Sequence, residues 1–350
     1  MIRRRATVGV AAIGVVAGAV ALGFVAAPAG AGQSPSLPPT TPAALVQSVL
    51  TAKLPAMSGT VEIDNNLGLP SVPGLPAQAA NGNSQIRVWT DGDDRTRIAV
   101  PGQSSEQTVV DTGSTVYVWD STDRTVVKHS VPEERQHANQ QLDQRDIDPA
   151  TAAKDLVGSM RATSNVTVDG TDIVAGRPAY DLVLTPKPAE RTLLRAVRIS
   201  VDAQTRMPLR LTVLSDNTDT PAIQIGFSSV KLGPQDPSLF RFTVPSGATV
   251  VNGDKNADKP AKIADATRPT VVGNGWDTVL VARVPTDSAK GGADQMLGMV
   301  RQFGTPVHGS WGSGWVIGTS VGNALITSDG RVAVGFVPQQ VLIQALGGGR

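Results

Sequence analysis

Three histidines, His129, His137 and His308, are the first candidates for acid–base or metal chemistry. None sits in an H-E-x-x-H or H-x-x-x-H spacing, so no zinc site is signalled. Asp91, Asp93 and Asp94 bunch carboxylates as a calcium loop does. They lack the twelve-residue frame and the closing Glu, and read as an exposed Asp/Gly turn. The run Gly309-Ser310-Trp311-Gly312-Ser313-Gly314 is close to a nucleophile elbow. Neither serine has Gly at both −2 and +2, which that strained turn needs. The chain has no cysteine, which excludes disulfides, thiolate metal sites and a cysteine nucleophile. The residues therefore point to a non-enzymatic chain with no catalytic residue, no metal and no cofactor. What stands out instead is aromatic and aliphatic. Trp89, Tyr117 and Trp119 fall in neighbouring strand-like segments. They read either as a cross-strand cluster or as the mouth of a cavity, stacking on an acyl chain or head group.

The elements that would position such a site are mostly strands. Thr41-Pro42 reads as N-cap and first helical residue, followed by apolar residues at helical spacing from Val46 to Leu54. Ser58–Ile63, Gln85–Thr90, Thr96–Val100, Gln107–Asp111, Thr115–Asp120 and Thr125–Ser130 read as strands, and Gly68–Asn83 as a Pro/Gly/Ala loop. Asp148 caps a second predicted helix, with a stripe from Ala152 to Met160. Then the period becomes two. Tyr180, Leu182 and Leu184 alternate with polar or outward positions, as do Val197, Ile199 and Val201. Leu209, Leu211 and Val213 follow, then Ile223, Ile225 and Phe227, then Phe240, Phe242 and Val244. This predicts an antiparallel sheet with one apolar and one wet face. On that reading Leu211→Asp costs about 3 kcal/mol or more and Arg210→Asp, on the wet face, under about 1.

The predicted fold class is mainly β (α+β). A curled antiparallel sheet, or incomplete β-barrel, lies over two short helices, with a small C-terminal α+β unit added. Twist curls so many strands, and two short helices cover only part of the apolar face. The face therefore reads either as a packed core or as a ligand cavity. The cavity candidates are Trp89, Tyr117, Trp119, Tyr180, Leu182, Leu184, Val197, Ile199, Leu209, Leu211, Val213, Ile223, Ile225 and Phe227. Residues 252–269 read as a charged linker and 270–350 as the C-terminal unit. There Asp329-Gly330 turns a hairpin, Pro338–Leu346 closes as a helix, and Trp276, Trp311 and Trp315 form a small core or a partner surface.

Arg3, Arg4 and Arg5 precede an uncharged apolar run, Ala6–Ala27, and Ala29-Gly30-Ala31 then offers a small-x-small cleavage pattern. Residues 1–31 thus read as a signal peptide or as a retained signal anchor, and 32–40 as a tether. Either way the remainder is extracytoplasmic, secreted or held to the cytoplasmic membrane. Overall, 31 Lys+Arg against 30 Asp+Glu leaves no basic excess for nucleic acid. With 36 Gly and 25 Pro, a helical bundle is disfavoured.

Several motifs in order resemble the LolA-like superfamily. Leu54–Val61 is similar to its first helix–strand junction, and Asp111–Asp120 to its hairpin with Trp, Tyr and Asp. Val174–Leu184 is similar to its G-x-x-A-Y-x-L-x-L strand, Val201–Leu209 to its D-x-x-T-x-x-P-L hairpin, and Asp236–Ala248 to its D-P-x-x-F-x-F end. The resemblance covers about residues 41–251. It implies an incomplete barrel enclosing a hydrophobic cavity, in a carrier or sensor of a lipid or a lipoprotein acyl chain. The implied partners are a lipid or an acylated protein, and a membrane protein besides. The alternative it implies is an envelope regulator of the RseB/MucB type, acting on an anti-sigma factor or cell-wall component. The chain departs from the lipid-anchored branch in having no lipobox cysteine, and from the family in its C-terminal addition.

Overall fold

The structure is a computed structural model. It describes residues 35–68, 82–102, 105–131, 157–254, 269–283, 298 and 300–348. The signal segment at 1–31, the loop core at 69–81, the Asp148 cap and most of the charged linker lie outside the described residues.

Helix α1 (Pro42–Thr51) begins as its sequence requires. The Thr41 hydroxyl accepts from the Ala44 N–H at 3.2 Å and Pro42 occupies the first turn. The chain then enters β1 (Met57–Asn65) and meanders through β2 (Gly82–Thr90), β3 (Arg95–Pro101), β4 (Glu106–Thr112), β5 (Thr115–Asp120) and β6 (Thr125–Ser130). A helical stretch at 157–163 leads into a second meander. It comprises β7 (Ser164–Val174), β8 (Arg177–Pro186), β9 (Leu194–Asp202), β10 (Pro208–Ser215) and β11 (Ile223–Leu232), with β12 (Thr249–Asn252) after it. All twelve form one sheet in the order β12-β6-β5-β4-β3-β2-β1-β11-β10-β9-β8-β7. Strand β1 lies at the join, paired antiparallel to β2 on one side and to β11 on the other. Strand β12 pairs parallel to β6 at one edge.

Directly paired residues share a face of a sheet. One apolar row therefore runs Val168–Leu182–Ile199–Leu211–Ile225–Ile63 across six strands. The next runs Val166–Leu184–Val197–Val213–Ile223. This is the inner face. At the β7–β9 flank it is covered by Leu45 and Val46 of α1 and by Val157 and Met160. At the β1–β3 flank Met57, Val61, Ile86, Val88 and Ile98 pack on Val174, Ala179, Met207 and Leu209, which lie toward the β7–β8 and β9–β10 hairpin ends. The sheet is thus curled, and among the described residues it stays open rather than closing into a barrel.

The segment Phe240–Val244 is not the sheet strand that its alternation predicts. Asp236 accepts from Ser238 N–H, a 3-10 turn spans Pro237–Phe240, and the chain then crosses the outer face of the sheet. Pro237 lies in the 3-10 turn that precedes this crossing, and Pro245 follows it. Phe242 stacks on Tyr117 with centroids 4.9 Å apart, and the Arg95 guanidinium lies 5.4 Å from the Phe240 ring centroid.

The second sheet contains β13 (Thr270–Val272), β14 (Val279–Arg283), β15 (Thr305–Gly309), β16 (Gly312–Gly318), β17 (Asn323–Thr327) and β18 (Arg331–Gly335), ordered β13-β14-β18-β17-β16-β15. Helix α2 (Gln339–Gly347) buries Val341, Leu342 and Leu346 against Val279, Val316, Leu325 and Ala333. The two sheets are bonded to each other. Trp276 Nε1 donates to Ser164 Oγ at 2.7 Å, Leu193 N–H to the Phe336 carbonyl at 2.9 Å, and Ser320 N–H to the Leu67 carbonyl at 2.8 Å. Trp276 therefore belongs to this junction, whereas Trp311 packs on the α2 core and Arg301 sits over Trp315 at 5.2 Å.

Candidate ligand groove

The cavity candidates divide into three sets. Tyr180, Leu182, Leu209 and Phe227 are buried within the two cores that flank the inner face. Tyr180 is further held by its hydroxyl, which donates to the Pro38 carbonyl at 2.9 Å. Leu184, Val197, Ile199, Leu211, Val213, Ile223 and Ile225 are half-buried. They occupy adjacent rows of β8–β11, between the flank covered by α1 and the flank covered by the hairpin ends. Leu211, Val197 and Ile223 belong to none of the buried core clusters. This half-buried apolar stripe between the two covered flanks is the candidate ligand groove. Strands ~4.8 Å apart make it about 15 Å across.

Trp89, Tyr117 and Trp119 are on the other face. Trp89 pairs with Arg97, Arg97 with Val110, and Val110 with Tyr117. Trp119 pairs with Thr108, which pairs with Ala99. Their parity is opposite to that of Val88, Ile98 and Val109, which point inward. Grouping them with the inner-face residues is thus corrected by the strand register.

At the end of the groove the second sheet adds walls that sequence reasoning missed. A cavity of about 360 Å³ lies between the sheets, lined in part by Met160, Leu184, Leu194, Trp276 and Phe336. Leu184 belongs both to this cavity and to the groove. No local signal reveals the contribution of Trp276 and Phe336, which depends on docking of the two sheets.

The ion pairs of β7–β10 lie on the opposite, outer face. On the outer face Arg210 Nη1 bonds Asp172 at 2.6 Å and Ser200 Oγ donates to Asp181 at 2.7 Å. Burial holds the Asp181 carboxyl above the usual carboxylate range, with the Ser200 bond pulling it partly back. Asp202 is the reverse case. Burial pushes its pKa up, but the Arg177 bond and the Thr205 and Gln204 N–H groups outweigh it and hold the carboxyl below its usual range. It is a structural pair at a hairpin end. His129 lies 3.6 Å from Asp254 beside β12, and His308 lies on β15; His137 is outside the described residues. Among the described residues no three His, Cys, Asp or Glu gather as metal ligands, and no helix is long and apolar enough to cross a membrane.

No protein-family model matches the chain and no curated protein matches it. Solved structures do. MucB in complex with MucA(peri) is 15% identical, covers 86% of this chain and 94% of its own, and has a TM-score of 0.43. The MucA/MucB complex of Pseudomonas aeruginosa is 16% identical, with the same coverage of 86% and 94% and the same TM-score of 0.43. A LolA superfamily protein from Nitrosomonas europaea is 11% identical, covers 58% of this chain and 99% of its own, and has a TM-score of 0.24. The chain is mainly β, with a curled open antiparallel sheet, and it is similar to MucB and LolA-superfamily proteins, the resemblance its sequence motifs carry.

Proposed function

We propose that the protein is an extracytoplasmic, non-catalytic carrier or sensor that takes the acyl chain of a lipid or of an acylated protein into the inner-face groove. The half-buried rows centred on Leu211 carry this reading. An apolar stripe between two fully packed flanks leaves hydrocarbon in contact with solvent where both neighbours are covered. Each methylene laid there gains about 0.8 kcal/mol. About ten methylenes gain roughly 8 kcal/mol, which offsets the ordering cost of binding without a charged contact. The Arg3–Arg5 segment and the apolar run after it support export.

The test is titration with a fluorescent fatty-acyl probe, alongside mass spectrometry of lipid extracted from the purified protein. Binding at about micromolar strength is expected. Leu211→Trp fills the middle of the groove, outside both cores, and should weaken the probe at least about tenfold with the fold retained. No probe uptake and no extracted lipid would end the carrier reading. A protein-binding regulator is the second reading, favoured by a separate observation. Val271, Leu280 and Val334 form one directly paired row on the second sheet and are 61%, 44% and 37% exposed. Such a row is a partner surface in kind.

A further inference from the structure

We propose that the outer face carries a second site, which binds the phosphate group of a phosphate ester between Arg87 and Lys231. Six side chains form a grid of two rows on three neighbouring strands. Lys231, Ser58 and Trp89 make one row, and Ser229, Thr60 and Arg87 the other. They line a cleft of about 260 Å³. The register shift at Thr60/Val61, opposite Phe227–Ser229, opens the ladder at this point. There the Thr60 N–H donates to the Ser229 hydroxyl at 3.3 Å. Ser229 therefore keeps its own proton for an acceptor in the cleft.

The grid is rich in donors and poor in acceptors. The Ser58 and Thr60 hydroxyls and the Lys231 ammonium have no acceptor among the described residues. Arg87 faces Glu106 at 3.8 Å, beyond hydrogen-bond reach, and its guanidinium carbon is 6.0 Å from the Trp89 ring centroid. Glu62, the next acid along β1, is engaged by Gln85 Nε2 at 3.0 Å. Two cations on opposite sides and three hydroxyls between them exceed what the two oxygens of a carboxylate accept. They suit the three terminal oxygens of a phosphate monoester. The cleft is larger than phosphate alone, and Trp89 supplies a flat wall for the esterified group. The inner groove opens on the opposite face, so the two sites are separate.

The full-length protein is titrated with inorganic phosphate, with glycerol 3-phosphate, and with vesicles carrying phosphatidic acid, a phosphate monoester, or phosphatidylcholine, a diester. Saturable binding of the soluble ester is expected, weakening as salt rises, with a tryptophan fluorescence change that Trp89→Phe removes. Arg87→Gln and Lys231→Gln should each weaken it at least about tenfold, since each removes one charge-assisted partner. Both variants should keep the parent circular dichroism and bind the fatty-acyl probe as the parent does, so failure here is distinct from failure of the groove. Equal binding of glycerol 3-phosphate and phosphatidic acid identifies any accessible phosphate monoester as the ligand. Binding confined to phosphatidic acid vesicles, lost in the two variants, identifies a lipid head group. Absence of binding in every arm, or binding unchanged in both variants, overturns the proposal.

Discussion

Arg210 is the residue whose replacement best separates the alternation pattern from the folded sheet. Alternation places it on the wet face, where Arg210→Asp would cost under about 1 kcal/mol. The folded side chain is 16% exposed, and its Nη1 bonds Asp172, itself 31% exposed, at 2.6 Å. Asp181, 14% exposed, lies in the same cross-strand row beyond Ser200. Arg210→Ala removes one charge-assisted bond and leaves a mostly buried carboxylate behind, for a cost of about 2–3 kcal/mol. Arg210→Asp adds a third carboxylate to the group. Repulsion then grows until one of them takes a proton, which at neutral pH costs about 1.4 kcal/mol per pH unit above its ordinary pKa. The total is about 4–6 kcal/mol. Leu211→Asp, at a half-buried groove wall, should cost only about 1–2 kcal/mol. Urea denaturation of the parent and the three variants gives these differences directly. The pH dependence supplies a second check. Burial already holds the Asp181 pKa above its unfolded value, and Arg210 opposes that rise. A carboxylate with a raised folded pKa loses stability as pH rises through that pKa. Without Arg210 the rise is larger, so the gap between parent and Arg210→Ala should narrow from pH ~7 to pH ~5. An Arg210→Asp cost below that of Leu211→Asp, or a gap that widens toward acid, would refute the reasoning.

Asp202→Ala should cost about 3–5 kcal/mol at neutral pH in the same assay, because it strands Arg177 and the N–H groups of Gln204 and Thr205. The folded pKa of Asp202 is depressed, so its contribution is present above the ordinary carboxylate value. It fades as pH falls through the depressed one, and the gap to parent should close only in strong acid. Gly59→Ala should lower the melting temperature by the equivalent of about 1–3 kcal/mol. Its Cβ would stand 2.7 Å from two carbons of the buried Phe227 ring and 2.7 Å from the Ser229 carbonyl oxygen. An unchanged melting temperature would mean that Phe227 is free to move.

Local pattern carries the strands that alternate strictly, and β8, β9, β10 and β11 stand where period two puts them. Strand β7 escapes the same reading because Asp169-Gly170 interrupts Val166 and Val168, and the ladder shifts register there, with Gly170 at φ 90°. Strands β12 and β13 are too short to show a period. The reverse error occurs at Phe240–Val244, where alternation is present but the chain leaves the 3-10 turn to cross the outer face and stack Phe242 on Tyr117. Pairing of β1 with β11 closes a separation of well over a hundred residues, which no local period reports.

The site divides along the same line. The inner stripe is visible because hydrophobicity repeats within each strand. Which face Trp89, Tyr117 and Trp119 take depends on how successive hairpins register, and only the pairing of Trp89 with Arg97 fixes it. Polarity also misleads about exposure. Arg210, Asp172 and Asp181 are polar in alternation yet mostly enclosed, because the long Arg210 and Arg198 side chains lie along the outer surface and pair with Asp172 and Asp181. The cleft between Arg87 and Lys231 needs both steps. Its rows exist only once β1 joins β2 to β11, and its depth only once the ladder slips at Thr60. A strand pattern therefore shows where hydrocarbon is kept from water, whereas convergent donors appear only after long-range register is set. That is why the inner groove is foreshadowed in the chain and the outer cleft is not.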